Sequence, residues 1–139
     1  MRLLLIIFIF YLFSCKNNDS ETPKTEVKNI SELQKTTDFS QPINVGIDEA
    51  EKLLKTEQDI IVLDVRTPEE TQHGVINNAM VLDFYDPQFQ SEIEQLDKTN
   101  TYLVYCAAGG RSADASKIMA EKGFKKVYNL SGGYRAWKK

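Results

Sequence analysis

An α/β domain with a mostly parallel central sheet flanked by helices is the fold class this sequence predicts, on three observations. Apolar runs of strand length recur along the chain, in "DIIVLDV", "AMVLDF", "TYLVYC" and "KKVYNL". Between them stand segments whose apolar residues fall at helical spacing instead. Strands that alternate with helices imply crossover connections, and crossovers build parallel sheets. At 139 residues, 42% apolar and 27% charged, the chain is large enough for one such domain and its extensions, and too short for a second.

The folded part is expected over residues 42–139. "INV" after Pro42 is a short strand candidate, and Asp48 to Lys55 reads as a helix with Ala50, Leu53 and Leu54 on its inner side. "DIIVLDV" is a continuous apolar run bounded by polar residues, the pattern of a strand buried on both faces. "AMVLDF" and "TYLVYC" repeat it. "QSEIEQL" is expected to be helical. So is Ser112 to Lys122, where Ala115, Ile118 and Met119 share a face and Gly123 stands at the C-cap position. "KKVYNL" supplies the last strand. "GGYRAWKK" closes the chain with a short helix, Tyr134 and Trp137 on its apolar side.

The first 41 residues differ in kind. "MRLLLIIFIFYLFSC" carries one positive charge at Arg2, then an unbroken apolar run from Leu3 to Phe13. A bilayer span takes about 20 apolar residues, so this run fits the apolar region of an export signal instead. "LFSC" resembles a bacterial lipoprotein signal: residues 1–14 would be removed and Cys15 would carry lipid at the mature N-terminus. Phe13 is bulkier than that motif prefers. Losing Arg2 leaves the mature chain one unit more acidic than the formal net charge of −3. Residues 15–41 are mostly polar and read as a tether, with a short helix candidate at Val27, Ile30 and Leu33. As a flexible coil it would span on the order of 28 Å. The expectation is an exported, membrane-anchored lipoprotein of the bacterial cell envelope, on the periplasmic side. The acidic balance offers no field for a phosphate backbone, which excludes nucleic acid as a partner.

Export sharpens the question of the second cysteine. Disulfides persist outside the cytoplasm, yet a lipidated Cys15 leaves Cys106 without a partner in its own chain, the mark of a reactive thiol or an intermolecular bond. Cys106 ends an apolar strand and precedes a helix, and in parallel sheets ligands bind beyond the carboxyl ends of the strands. The loop residues Ala107, Ala108, Gly109 and Gly110 are small enough for their N–H groups to converge, and a helix start adds its positive end. Arg111 is near in sequence. A thiol so placed is expected below its ordinary pKa of about 8.5, as a nucleophilic thiolate. Without the glycines, arginine and helix start, Cys106 would read as a small buried hydrophobe.

Loop length narrows the chemistry. A phosphate-binding cysteine loop of the tyrosine-phosphatase type places five residues between cysteine and arginine, to wrap three oxygens, whereas Cys106 and Arg111 are separated by four. A smaller group should fit, a single sulfur atom held on the cysteine as a persulfide. "CAAGGRS" resembles the active-site loop of the rhodanese-family sulfurtransferases, which read Cys-x-x-Gly-x-Arg-Ser. "IIVLDVRTPEE" and "VYNLSGGYRAW" are similar to that family's upstream strand-and-turn and C-terminal segments. The resemblance implies a rhodanese-like fold and a ping-pong reaction. Cys106 would take sulfane sulfur from a small donor such as thiosulfate or polysulfide, or a protein persulfide, and pass it to a thiol or cyanide acceptor. Cys106 and Arg111 would be catalytic, with Ala107, Ala108, Gly109, Gly110 and Ser112 forming the substrate cradle. No cofactor and no metal are expected.

One segment departs from the family pattern, which often reads Gly-His-Ile-Pro-Gly-Ala where this chain has "GVINNA". Val75 stands at the histidine position and Asn77-Asn78 at Pro-Gly; the chain's one histidine, His73, reads as a surface residue. By resemblance Asp64 and Arg66 support the loops around the site, through ion pairs such as Arg66 with Glu69 or Glu70. Ser112 is either the helix N-cap or a hydrogen-bonding member of the loop. Gly132-Gly133 is a turn that the resemblance places near the cysteine loop, and Phe84, Tyr85 and the stretch to Phe89 are candidates for the rim. The reading from another class is a rhodanese-fold binding or sulfur-sensing module without turnover. The short loop counts against phosphatase or arsenate reductase chemistry.

Overall fold

The computed structural model describes residues 41–139; the leader, Cys15 and the tether up to residue 40 lie outside the described residues. Its elements are β1 (Ile43–Val45), α1 (Ile47–Thr56), β2 (Ile60–Asp64), α2 (Pro68–Thr71), β3 (Met80–Val81), α3 (Phe89–Gln95), β4 (Thr101–Tyr105), α4 (Gly110–Glu121), β5 (Lys126–Leu130) and α5 (Gly133–Trp137). The five strands form one sheet in the order β1-β5-β4-β2-β3, every pair parallel. All carboxyl ends therefore lie along one edge. That edge carries Cys106 after β4, Arg66 after β2 and the Gly132-Gly133 pair after β5.

Apolar side chains on the two sheet faces form two core clusters. Val104 of β4 and Val127 of β5 pack with Phe89 and Ile93 of α3 and Ala115 and Met119 of α4. On the opposite face Leu103 and Tyr105 join Ala50 of α1, with Leu53, Leu54, Tyr134 and Trp137 packed against them. The alternation along TYLVY feeds both clusters, which is why the run is apolar throughout. At the end of α4 the expected Gly123 cap is present with φ +88. Its N–H donates to the Ala120 carbonyl and that of Phe124 to Met119, a Schellman closure that drops the Phe124 ring into the core against Tyr102.

Two expectations are corrected. "AMVLDF" is not a strand buried on both faces: β3 is two residues at the sheet edge, with Met80 and Val81 42% and 40% exposed. Among the described residues β2 alone pairs with it. The second concerns the start of α4, which begins at Gly110 with Gly109 as N-cap, two residues before the expected start, so Ser112 lies inside the first turn. A further short helix, α2, follows the Thr67/Glu70 capping box and Pro68 at its first position.

Candidate active site

Backbone contacts shape the loop after β4. The α5 N–H groups of Tyr134 and Arg135 donate to the carbonyls of Cys106 and Ala107, at 2.8 and 3.0 Å. With those carbonyls tied back, the next amides turn toward the sulfur, and the Gly109 N–H reaches Cys106 Sγ at 3.1 Å. Gly109 and Gly133 adopt φ +98 and +56. A Cβ on Gly133 would collide with the Cys106 carbonyl and come within 2.8 Å of the Ala108 nitrogen. The glycine pair after β5 is therefore a close-approach surface as well as a turn.

Cys106 is free and buried, 2% exposed. Burial pushes its thiol up, but hydrogen bonds from the Ser112 N–H and hydroxyl and from the N–H groups of Ala108 and Gly109 outweigh it and hold the thiol below its ordinary value. The direction is the one read from the loop sequence. The donors, however, are amides and a hydroxyl, while Arg111 is engaged elsewhere. Its two terminal nitrogens hold both oxygens of Glu70 at 2.7 Å, and its guanidinium lies 5.4 Å from the Tyr85 ring. The Arg111 pairing is the first cause that holds the Glu70 carboxyl at about 2, against the opposing effect of burial. Ser112 Oγ is within hydrogen-bonding reach of Cys106 Sγ at 3.6 Å, the Gly109 carbonyl at 3.1 Å and Asn129 Oδ1 at 2.7 Å.

Arg66 makes a different kind of pair from the expected one. Its partner is Asp64, not Glu69 or Glu70: Nε lies 2.9 Å from both Asp64 oxygens and Nη2 2.6 Å from Oδ2. Residues two apart on an extended chain project to the same side, so Asp64 is the local partner. The remaining guanidinium donors reach the carbonyls of Glu70, at 3.2 Å, and Gly74, at 2.8 Å. The Tyr134 ring covers the guanidinium at 3.9 Å. Tyr105, from beneath, accepts the Ile76 N–H at 2.9 Å on its hydroxyl. The divergent "GVINNA" segment is thereby fixed. Asn77 and Asn78 hold positive φ in a tight turn closed by the Ala79 N–H on the Ile76 carbonyl, a conformation asparagine tolerates better than other side-chain-bearing residues. His73 is exposed, and its carbonyl accepts the Tyr134 hydroxyl.

The structure thus brings Cys106, Ala108, Gly109 and Ser112 around one sulfur, with Arg111 beside them and Asp64–Arg66 forming a separate buried cluster. Sequence reasoning named Glu70 only as a partner for Arg66 and missed its pairing with Arg111, although the Thr-Pro-Glu-Glu signature of a capping box places it at the start of a helix. It also missed Asn129, whose buried amide depends on strand pairing rather than on any local pattern. Among the described residues no cluster of side chains is arranged to hold a metal.

The model of the family described as Rhodanese-like domain matches residues 47–139. A rhodanese-like domain-containing protein of Arabidopsis thaliana, number 17 of its series, is 34% identical over 116 residues, covering 73% of each chain. The thiosulfate sulfurtransferase GlpE of Coxiella burnetii is 38% identical over 90 residues, 65% of this chain and 81% of that one. Among solved structures, a rhodanese-like domain protein from Staphylococcus aureus superposes with a TM-score of 0.61 at 30% identity, over 68% of this chain and 90% of its own.

Proposed function

The chain belongs to the rhodanese-like domain family, and on that premise we propose that it is a sulfurtransferase working through a persulfide on Cys106. The observation that carries this reading is the buried sulfur facing the Gly109 N–H at 3.1 Å, in a loop one residue too short for the phosphatase-type cradle. In the first half-reaction the Cys106 thiolate attacks the outer sulfur of the donor. The donor's sulfur–sulfur bond breaks and the donor remnant, sulfite when thiosulfate is used, leaves with the electron pair. In the second, an acceptor nucleophile attacks the outer sulfur of the persulfide and Cys106 departs as thiolate. The amide donors that favour the thiolate also favour the anionic persulfide, so the loop stabilises both resting forms. Arg111, held by Glu70, lends positive charge at the mouth.

Placement in the cell belongs to the same reading: Cys15 carries lipid and the polar tether holds the domain away from an envelope membrane. The apolar run and "LFSC" support it. Membrane release on Cys15→Ser tests it.

The activity is tested by thiocyanate formation from thiosulfate or polysulfide and cyanide. The full-length protein is expected to turn over, and Cys106→Ser to give none while keeping its fold. Equal activity in the variant would refute the mechanism. A folded protein with no turnover on any donor would favour the binding module.

A further inference from the structure

Three polar side chains form a chain leading away from the sulfur. Ser112 Oγ lies 3.6 Å from Cys106 Sγ and 2.7 Å from Asn129 Oδ1, and Asn129 Nδ2 lies 2.7 Å from Asn44 Oδ1. Ser112 and Asn129 are buried, 0% and 4% exposed, while Asn44 sits exposed on the edge strand β1 in register with Asn129.

A hydroxyl has one hydrogen to give, and Ser112 has three acceptors within reach for it: Cys106 Sγ, Asn129 Oδ1 and, from its own helix turn, the Gly109 carbonyl at 3.1 Å; of these, Asn129 is the one tied to the asparagine chain. Directed to Asn129, the hydrogen leaves the sulfur with its amide donors alone, and Ser112 Oγ is free to accept from a protonated thiol. The two ends of a carboxamide have the same shape, so both asparagines can be reversed without moving any heavy-atom position. Asn44 then donates to Asn129 Oδ1, Asn129 Nδ2 donates to Ser112 Oγ, and the hydroxyl hydrogen points to Sγ. Each orientation keeps every member of the chain hydrogen-bonded. The first suits a thiol and the second an anionic sulfur.

We propose that Asn129 and Asn44 are positioning residues that set the direction of the Ser112 hydroxyl, and so couple a reversible side-chain network to the charge on Cys106. The assignment rests on the reading of Cys106 as the working nucleophile, but its consequences appear in the thiol itself, before any sulfur is moved. The charged groups on the surrounding elements are Arg111 with Glu70 of α2, the Asp64–Arg66 pair at the end of β2, Asp48 and Glu49 at the start of α1, Asp114, Lys117 and Glu121 on α4, Lys126 of β5 with Glu57, and Arg135 on α5. None of them belongs to the chain of three.

Asn44 provides the test, because it is exposed and its replacement leaves the core untouched. Asn44→Asp offers only acceptors, which commits Asn129 Nδ2 to residue 44 and Asn129 Oδ1 to the Ser112 hydrogen, away from sulfur. Asn44→Lys offers only donors and commits the network the other way. The readout is the pH dependence of iodoacetamide alkylation at Cys106 in the full-length chain, followed by mass spectrometry of the Cys106 peptide so that Cys15 does not interfere. The midpoint is expected to rise by about one pH unit in Asn44→Asp and to fall in Asn44→Lys, one unit corresponding to about 1.4 kcal/mol. In a Ser112→Ala background both shifts should vanish. Shifts that persist without the hydroxyl would reveal a plain through-space field, and no shift in either variant would show a structural role only; either result overturns the proposal. Sulfurtransferase activity does not enter the measurement, so a failure of the functional reading would be seen separately, in turnover.

Discussion

Two neighbouring loops at the same sheet edge solve opposite problems with the same ingredients, an arginine and a carboxylate. After β2, Arg66 is buried against Asp64 and caps two carbonyls, with 3% and 0% of the two side chains exposed. After β4, Arg111 meets Glu70 across 41 residues of chain at the surface, with 17% and 33% exposed. The first pair ties Asp64, Glu70 and Gly74 into one rigid corner. The second leaves the sulfur to backbone amides and the Ser112 hydroxyl and sets an arginine–carboxylate pair beside it. The difference teaches that the β2 loop fixes geometry, whereas the β4 loop is the one the proposed function assigns to chemistry.

The sharpest way to separate them is to remove one function at a time. Cys106→Ser should abolish sulfur uptake completely while changing unfolding stability by no more than about 1 kcal/mol, the size of an ordinary substitution. Thiocyanate assays and urea melts on the same preparation read both quantities. Arg66→Met should do the reverse. It leaves Asp64 as a buried charge without its partner, at a cost of about 3–5 kcal/mol, while Cys106 in the fraction that remains folded still alkylates as a low-pKa thiol. Should Arg66→Met be stable and its thiol ordinary, the division of labour is wrong.

Gly133→Ala strikes the contact between α5 and the cysteine loop, and so should lower both stability and uptake. A side chain at φ +56 that also meets loop backbone costs about 1–3 kcal/mol. The smallest effect is expected from Glu70→Gln, below about 1 kcal/mol at neutral pH because the pair is partly solvated. Its signature is its pH dependence. Glu70 is held at about 2, below its ordinary 4.5, so its contribution is complete above pH 4.5 and is lost as pH falls toward 2. Denaturation curves of wild type and variant should therefore converge in acid; a constant difference across that window would contradict the ion-pair assignment.

Much of this was legible from the chain because the relevant signals are local. Apolar runs marked the three long strands, helical spacing marked α1 and α4, and small residues next to Cys106 marked the loop. Asp64 with Arg66 was also local, two residues apart at the end of β2, although the expected partner lay on the wrong side of the turn. What stayed hidden depends on long-range placement. Glu70 reaches Arg111 only because β2 and β4 are neighbours, and Asn129 reaches Asn44 only through the β1–β5 register. The "AMVLDF" run misled because an edge strand can be apolar without being covered.

The central claim is that Cys106 itself carries the sulfur, and the most direct test is the mass of the Cys106 peptide after the full-length protein has been incubated with thiosulfate or polysulfide. A gain of one sulfur atom on that peptide is expected, removed by cyanide with return of the free thiol. A folded protein whose Cys106 alkylates readily but gains no sulfur from either donor would contradict it.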